Sequence, residues 1–127
     1  MKIYADNAAT TRLSDTALAA MTPCFQEIYG NPSSLHTPGQ LAAEKLAAAR
    51  EVFARNLHAD PREITFTSGG SEADNQALRS AAALGARRGK RHIVSTKFEH
   101  HAVLHTLQAL EREGYEVTLL DIPPDGV

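Results

Sequence analysis

A chain of 127 residues with 43% hydrophobic content is long enough for one modest domain with its own core. A net charge of −2 with mixed signs leaves no basic footprint for nucleic acid. No run of about 18 apolar residues offers a membrane span. Cys24 is the only cysteine, so no internal disulfide can form; with no apolar leader at the N-terminus, a reducing, cytoplasmic setting is the simplest reading.

In chain order, Ile3 to Ala5 reads as a brief extended piece and Asp6 to Thr11 as a loop of small and polar residues. Ser14 is a plausible N-cap for a helix over Asp15 to Met21. Thr22-Pro23 is expected to restart that helix, because proline suits a first turn and breaks an interior one, and Gly30 to close it after Tyr29 as a left-handed cap. Asn31-Pro32-Ser33-Ser34 is a turn-rich loop. Thr37-Pro38-Gly39-Gln40 then has the capping-box pattern, which predicts a helix from Pro38 to about Leu57. Ala42, Leu46, Ala49, Phe53 and Leu57 recur at spacings of three and four and give it one apolar stripe. Asp60-Pro61 ends the connection.

From there the pattern is β-α-β-α-β. Strands are predicted over Ile64–Thr67, His92–Thr96 and Tyr115–Leu120, with helices over Ser71–Arg88, closed by Gly89, and Ala102–Glu113, closed by Gly114. This alternation indicates an α/β fold with a mostly parallel sheet, whose ligands gather beyond the carboxyl ends of the strands. Arg87-Arg88 and Lys90-Arg91 read as a solvated helix end that favours the dipole. Ile122 to Val127 is a turn signal that leads onward, the expected ending of a fragment, a split subunit or a truncated reading frame.

Thr67-Ser68-Gly69-Gly70-Ser71-Glu72 lies between the first predicted strand and its helix, with Ser71 at the expected N-cap. Small residues let a backbone approach a ligand, and the first N–H groups of a helix lack intrahelical acceptors, so the segment reads either as a phosphate cup or as an ordinary capped turn. It is neither a dinucleotide fingerprint nor a P-loop: the G-x-G-x-x-G spacing is missing and no Gly-Lys-Ser/Thr follows. Glu99-His100-His101 follows the second strand, where an imidazole could stack on a ring, pass a proton, or simply sit in a surface loop. His101 and His105 have the i, i+4 spacing of zinc ligands, but with no H-E-x-x-H arrangement and no clear third ligand, no metal site is expected. Cys24, flanked by Met21, Phe25 and Ile28, reads as a buried structural thiol.

Tyr4-Ala5-Asp6-Asn7-Ala8-Ala9-Thr10-Thr11, Gly30-Asn31-Pro32-Ser33-Ser34-Leu35-His36, Ile64 to Glu72 and Glu99-His100 together resemble, in order and spacing, the N-terminal third of NifS/IscS-like cysteine desulfurases. These are pyridoxal phosphate (PLP) enzymes of the class V aminotransferase group. The resemblance implies the first part of a PLP fold type I (aspartate aminotransferase-like) large domain, with residues 1–35 as an N-terminal arm with helices and residues 36–127 as the start of the cofactor-binding domain. It further implies that Gly70 and Ser71 hold the cofactor phosphate. The family usually has Ala-Thr there, and serine keeps the hydroxyl. His100 matches the histidine that stacks on the pyridine ring and assists proton transfer. Asn7, Ala8 and Thr10 match a loop at the substrate entrance, and His101 matches a variable position with no assigned role.

The reaction implied is removal of sulfur from L-cysteine, leaving L-alanine and a persulfide on an enzyme cysteine, with PLP as electron sink. The sulfur would feed iron–sulfur clusters or tRNA thiolation, and the complete enzyme is expected to be a cytoplasmic homodimer without nucleic-acid or membrane partners. The family's pyridine-nitrogen aspartate, cofactor-bearing lysine and nucleophilic cysteine match nothing in these 127 residues. Lys97 and Cys24 sit at positions that do not correspond, so the chain alone is expected to be inactive. A selenocysteine lyase, another class V PLP enzyme, and a non-catalytic split or decayed piece that binds a partner chain are the alternatives.

Overall fold

Helices and strands follow in the order α1 (Asp15–Gln26), α2 (Thr37–Leu57), a 3-10 turn (Pro61–Glu63), α3 (Gly70–Ala86), β1 (His92–Thr96), α4 (His101–Arg112) and β2 (Glu116–Leu120) in the computed structural model. The structure describes residues 3–123, so Met1, Lys2 and the Pro124–Val127 part of the expected terminal turn lie outside the described residues. Contacts divide the chain into two units, Met1–Thr65 and Phe66–Val127.

In the first unit Ser14 caps α1 as expected, its hydroxyl accepting the Ala17 N–H at 3.1 Å. The helix does not restart at Pro23 but runs through it to Gln26. Proline withdraws one N–H, while the carbonyl of Pro23 still receives the Glu27 and Ile28 N–H groups, both at 2.9 Å. Gly30 therefore follows the helix without capping it, and it is not among the positive-φ residues. Its role is close approach: a Cβ on Gly30 would lie on the Pro38 carbonyl, and one on Gly39 would meet the carbonyls of Ser34 and Asn31. The 31–36 loop is thus seated directly on the start of α2. That helix begins one residue earlier than the Thr37 capping pattern predicts, because His36 is the N-cap and its Nδ1 accepts the Gly39 N–H at 3.3 Å.

The apolar side chains of the first unit are largely uncovered. α1 buries no residue, and Cys24 is half-buried rather than buried. Leu46, Phe53 and Leu57 of the predicted stripe are exposed, and Ala54 is the buried side chain of α2. An apolar stripe becomes a core face only where another surface covers it. The expected extended piece at Ile3–Ala5 is not paired into a strand. Nor is Ile64–Thr67 a strand: Ile64 is extended (φ −89°, ψ 117°), but its N–H goes to the Pro61 carbonyl and its own carbonyl receives Arg50 Nε at 3.2 Å. Pro61 and, from fourteen residues away, Arg50 thus occupy the backbone groups of Ile64 that a sheet neighbour would use.

In the second unit β1 and β2 form a parallel pair in the register His92↔Glu116 to Thr96↔Leu120, extended by a bond from Lys97 N–H to the Leu120 carbonyl. α4 is the crossover between them, as the alternation predicts. It buries Thr106, Leu107 and Leu110, and the Thr106 hydroxyl is satisfied by the Ala102 carbonyl at 2.8 Å. Against it lies α3, joined also by an Arg79–Glu113 ion pair at 3.0 Å. Gly89 and Gly114 both take positive φ, 71° and 89°, and turn the chain after each helix, where a side chain would be strained. Among the described residues no helix is long and apolar enough to cross a membrane.

Candidate functional site

The segment before α3 is tied by its own side chains. Ser68 donates both its N–H (2.7 Å) and its hydroxyl (2.6 Å) to Glu72 Oε2, and the Thr67 hydroxyl donates to the Gly69 carbonyl at 3.1 Å. These bonds, the Ser68 hydroxyl first and its N–H second, hold the Glu72 carboxyl below the ordinary glutamate value. The N-cap is Gly69, with no side-chain cap, and Ser71 is the second helical residue. The expected N-cap role of Ser71 is therefore corrected. The consequence is chemical: a capping hydroxyl would be spent on the helix, whereas the Ser71 hydroxyl has no hydrogen-bond partner among the described residues. The N–H groups of Gly69, Gly70 and Ser71 likewise have no acceptor there.

α4 presents its own N-terminus similarly. His100 is its N-cap, with Nδ1 accepting the Ala102 N–H at 3.1 Å. An accepting Nδ1 puts the proton of the neutral ring on Nε2, the nitrogen left free to donate. Ser71 and His100 line one open cleft of about 440 Å³ between α3 and α4. Asn75, Arg79, His101 and His105 line it too, which the sequence reading did not anticipate. Their spacing was the available signal, since Ser71, Asn75 and Arg79 recur every four residues along α3, as do His101 and His105 along α4. Asn75 turns its amide onto the Ser71 carbonyl at 2.8 Å, and the His101 and His105 rings stack with centroids 5.6 Å apart. Among the described residues no group of three metal-ligating side chains converges.

Lys97 borders a different cavity, with Leu104, Leu107 and Val117, and its ammonium is paired with Asp121 at 2.7 Å. Asn7, Ala8 and Thr10 belong to the first unit, where the Asp6 carbonyl accepts the N–H groups of Ala9 and Thr10, and the Thr11 hydroxyl bonds to the Asn7 carbonyl.

A phosphate fits the donor set at α3: three unpaired N–H groups, a free hydroxyl and a helix N-terminus. The space is open as well, because a Cβ on Gly69 or Gly70 would meet no atom within 4 Å. An aromatic ring extending from such a phosphate would find the His100 imidazole on the wall of the same cleft.

Helices packed on a short parallel sheet, with a cleft that runs between α3 and α4 from their N-terminal residues Ser71 and His100, make this an α/β chain of the kind found in PLP fold type I. The aminotransferase class-V family profile matches residues 3–127, and the chain belongs to that family. The cysteine desulfurase IscS of Clostridium botulinum (strain Kyoto / Type A2) is 46% identical over 125 residues, which are 98% of this chain and 31% of that protein. A solved NifS-like protein superposes with a TM-score of 0.87 at 40% identity, covering 96% of this chain and 33% of its own. A structure described as SspA in complex with cysteine superposes with a TM-score of 0.78 at 36% identity, covering 89% of this chain and 32% of its own. The chain thus spans about a third of the length of the proteins it matches. Class-V aminotransferases generally use PLP.

Proposed function

We propose that this chain is the phosphate-holding part of a PLP-dependent cysteine desulfurase that takes sulfur from L-cysteine, leaves L-alanine, and passes the sulfur on as a persulfide. The observation that carries the reading is that Ser71, whose hydroxyl and N–H are both unclaimed among the described residues, lines one cleft with His100. The family and the cysteine desulfurases among its relatives support it, and the cysteine complex of SspA supports the substrate.

In this reading the cofactor, when bound, supplies the electron sink for cleavage of the carbon–sulfur bond. Gly70 and Ser71 donate to its phosphate. The His100 ring would stack on the pyridine, and its Nε2, the nitrogen not used by the Ala102 N–H, would be available for proton transfer. Asn7, Ala8 and Thr10 border the substrate entrance. Residues 1–35 act as an arm, and residues 36–127 begin the large domain. The cofactor-bearing lysine, the pyridine-nitrogen aspartate and the nucleophilic cysteine come from further polypeptide, and the complete enzyme is a cytoplasmic homodimer serving iron–sulfur assembly or tRNA thiolation.

The test is titration of the chain with PLP, followed by phosphorus NMR. Ser71→Ala is expected to weaken binding by roughly 1–3 kcal/mol, one hydrogen bond to a charged phosphate. His100→Ala should change the cofactor's absorption while leaving most of it bound. Wild-type affinity in Ser71→Ala would refute the phosphate assignment. The chain incubated alone with PLP and L-cysteine should release no sulfide; release that Lys97→Ala abolished would overturn the reading and promote Lys97.

A further inference from the structure

We infer that Glu72 and Thr67 are positioning residues that aim the backbone of the cup before any ligand arrives, an inference that rests on the reading of Gly70 and Ser71 as holders of a phosphate. In an ordinary capping box the acid at the third helical position accepts the N–H of the N-cap residue. Here Gly69 is the N-cap and Glu72 is the third helical residue, so the ordinary bond would consume the Gly69 N–H. Glu72 instead reaches one residue further upstream, taking the N–H of Ser68 at 2.7 Å and its hydroxyl at 2.6 Å. The run Gly69, Gly70 and Ser71 is thereby left with all three N–H groups unclaimed among the described residues.

Thr67 fixes the next peptide plane. The Gly69 carbonyl accepts both the Thr67 hydroxyl and the Ala73 N–H, each at 3.1 Å. No described peptide is cis, and in a trans peptide the carbonyl and the following N–H point in opposite directions. Holding the Gly69 carbonyl along the helix therefore aims the Gly70 N–H out of its end. Glu72 also solves an electrostatic problem of its own position. A carboxylate in the first turn favours the helix dipole but repels an incoming phosphate. Two donors from Ser68 turn this carboxylate onto the loop and take up part of its charge.

The experiment compares Glu72→Ala, Glu72→Gln, Thr67→Val and Ser71→Ala in the full chain. Each variant is read by amide hydrogen exchange without ligand and by PLP titration under phosphorus NMR. In Glu72→Ala the Ser68 amide should exchange faster and PLP affinity should fall, each roughly tenfold, the scale of one lost bond to a charged acceptor. Glu72→Gln, which keeps a carbonyl acceptor, should restore most of both, and the interior amides of α3 around Ala81 should be unaffected. Thr67→Val should lower affinity while leaving Ser68 protected. Unchanged Ser68 exchange in Glu72→Ala overturns the inference, and so does an affinity loss accompanied by equal loss of protection along all of α3, which would mean mere helix capping. The two readings fail separately. If Ser71→Ala weakens PLP binding and Glu72→Ala does not, the cup stands and the positioning role falls. If Ser71→Ala is without effect, or the wild-type chain takes no PLP, the cup itself is wrong and this role falls with it.

Discussion

Replacing Leu107 with alanine tests whether the α4 packing is what presents His100, His101 and His105 to the cleft. Leu107 is 1% exposed and Leu110 2%; with Ala82 they are the buried apolar side chains among the described residues of the second unit. Leu107→Ala removes three carbons, about 2.4 kcal/mol of transfer free energy at roughly 0.8 kcal/mol per methylene. In close-packed cores the residual cavity raises such losses toward about 5 kcal/mol. Here Leu107 already borders a cavity of about 220 Å³, so little further packing is lost and the expected cost stays near 2–3 kcal/mol. A unit of about 60 residues has roughly 3–9 kcal/mol of stability in all, so the loss is a large share of it. Urea unfolding followed by far-UV circular dichroism and by the histidine ring resonances should show a midpoint lowered by about 2 M, given a slope of about 1 kcal/mol/M. The α4 histidines should lose their native shifts in the same transition. A cost below about 1 kcal/mol, or ring resonances that survive the transition, would refute the claim that this contact holds the site.

Two further outcomes follow from charge and surface. Because the Glu72 carboxyl lies below its ordinary value, its bond to Ser68 contributes fully above the ordinary glutamate range and is lost only as pH falls through the lowered value. The Ser68 amide, corrected for intrinsic exchange, should therefore stay protected at neutral and mildly acidic pH, and opening at higher pH would contradict the clamp. With Phe25, Tyr29, Leu35 and Phe98 each at least 70% exposed, the chain should self-associate or bind a complementary chain. Light scattering that gave a 13.7 kDa particle at every concentration, with a cooperative melt, would count against this.

The sequence alone determined the features whose causes are local. Ser14 caps α1, the glycines at 89 and 114 turn the chain after α3 and α4, and the β-branched run at His92–Thr96 is a strand with the predicted bounds. The cap and the turns depend on residues within about one turn of themselves, and the residue types of the strand lie in one stretch of chain, although its partner β2 comes from beyond α4. The order of motifs was enough to indicate the family. What only the tertiary structure decided are the matters set by distant partners. Ile64–Thr67 has strand-like residues, yet Arg50 and Pro61 take up the backbone groups of Ile64. The stripe of α2 has helical spacing, yet Phe53 and Leu57 stay exposed because periodicity marks a face without supplying its cover. Gly30 matters through the Pro38 carbonyl eight residues later rather than through a left-handed turn. Ser71 reads as a cap in the sequence but is the second helical residue. Its hydroxyl is left without a partner among the described residues because the helix starts at Gly70 and Glu72 folds back to Ser68, a choice of hydrogen-bond partner made only once the loop is folded.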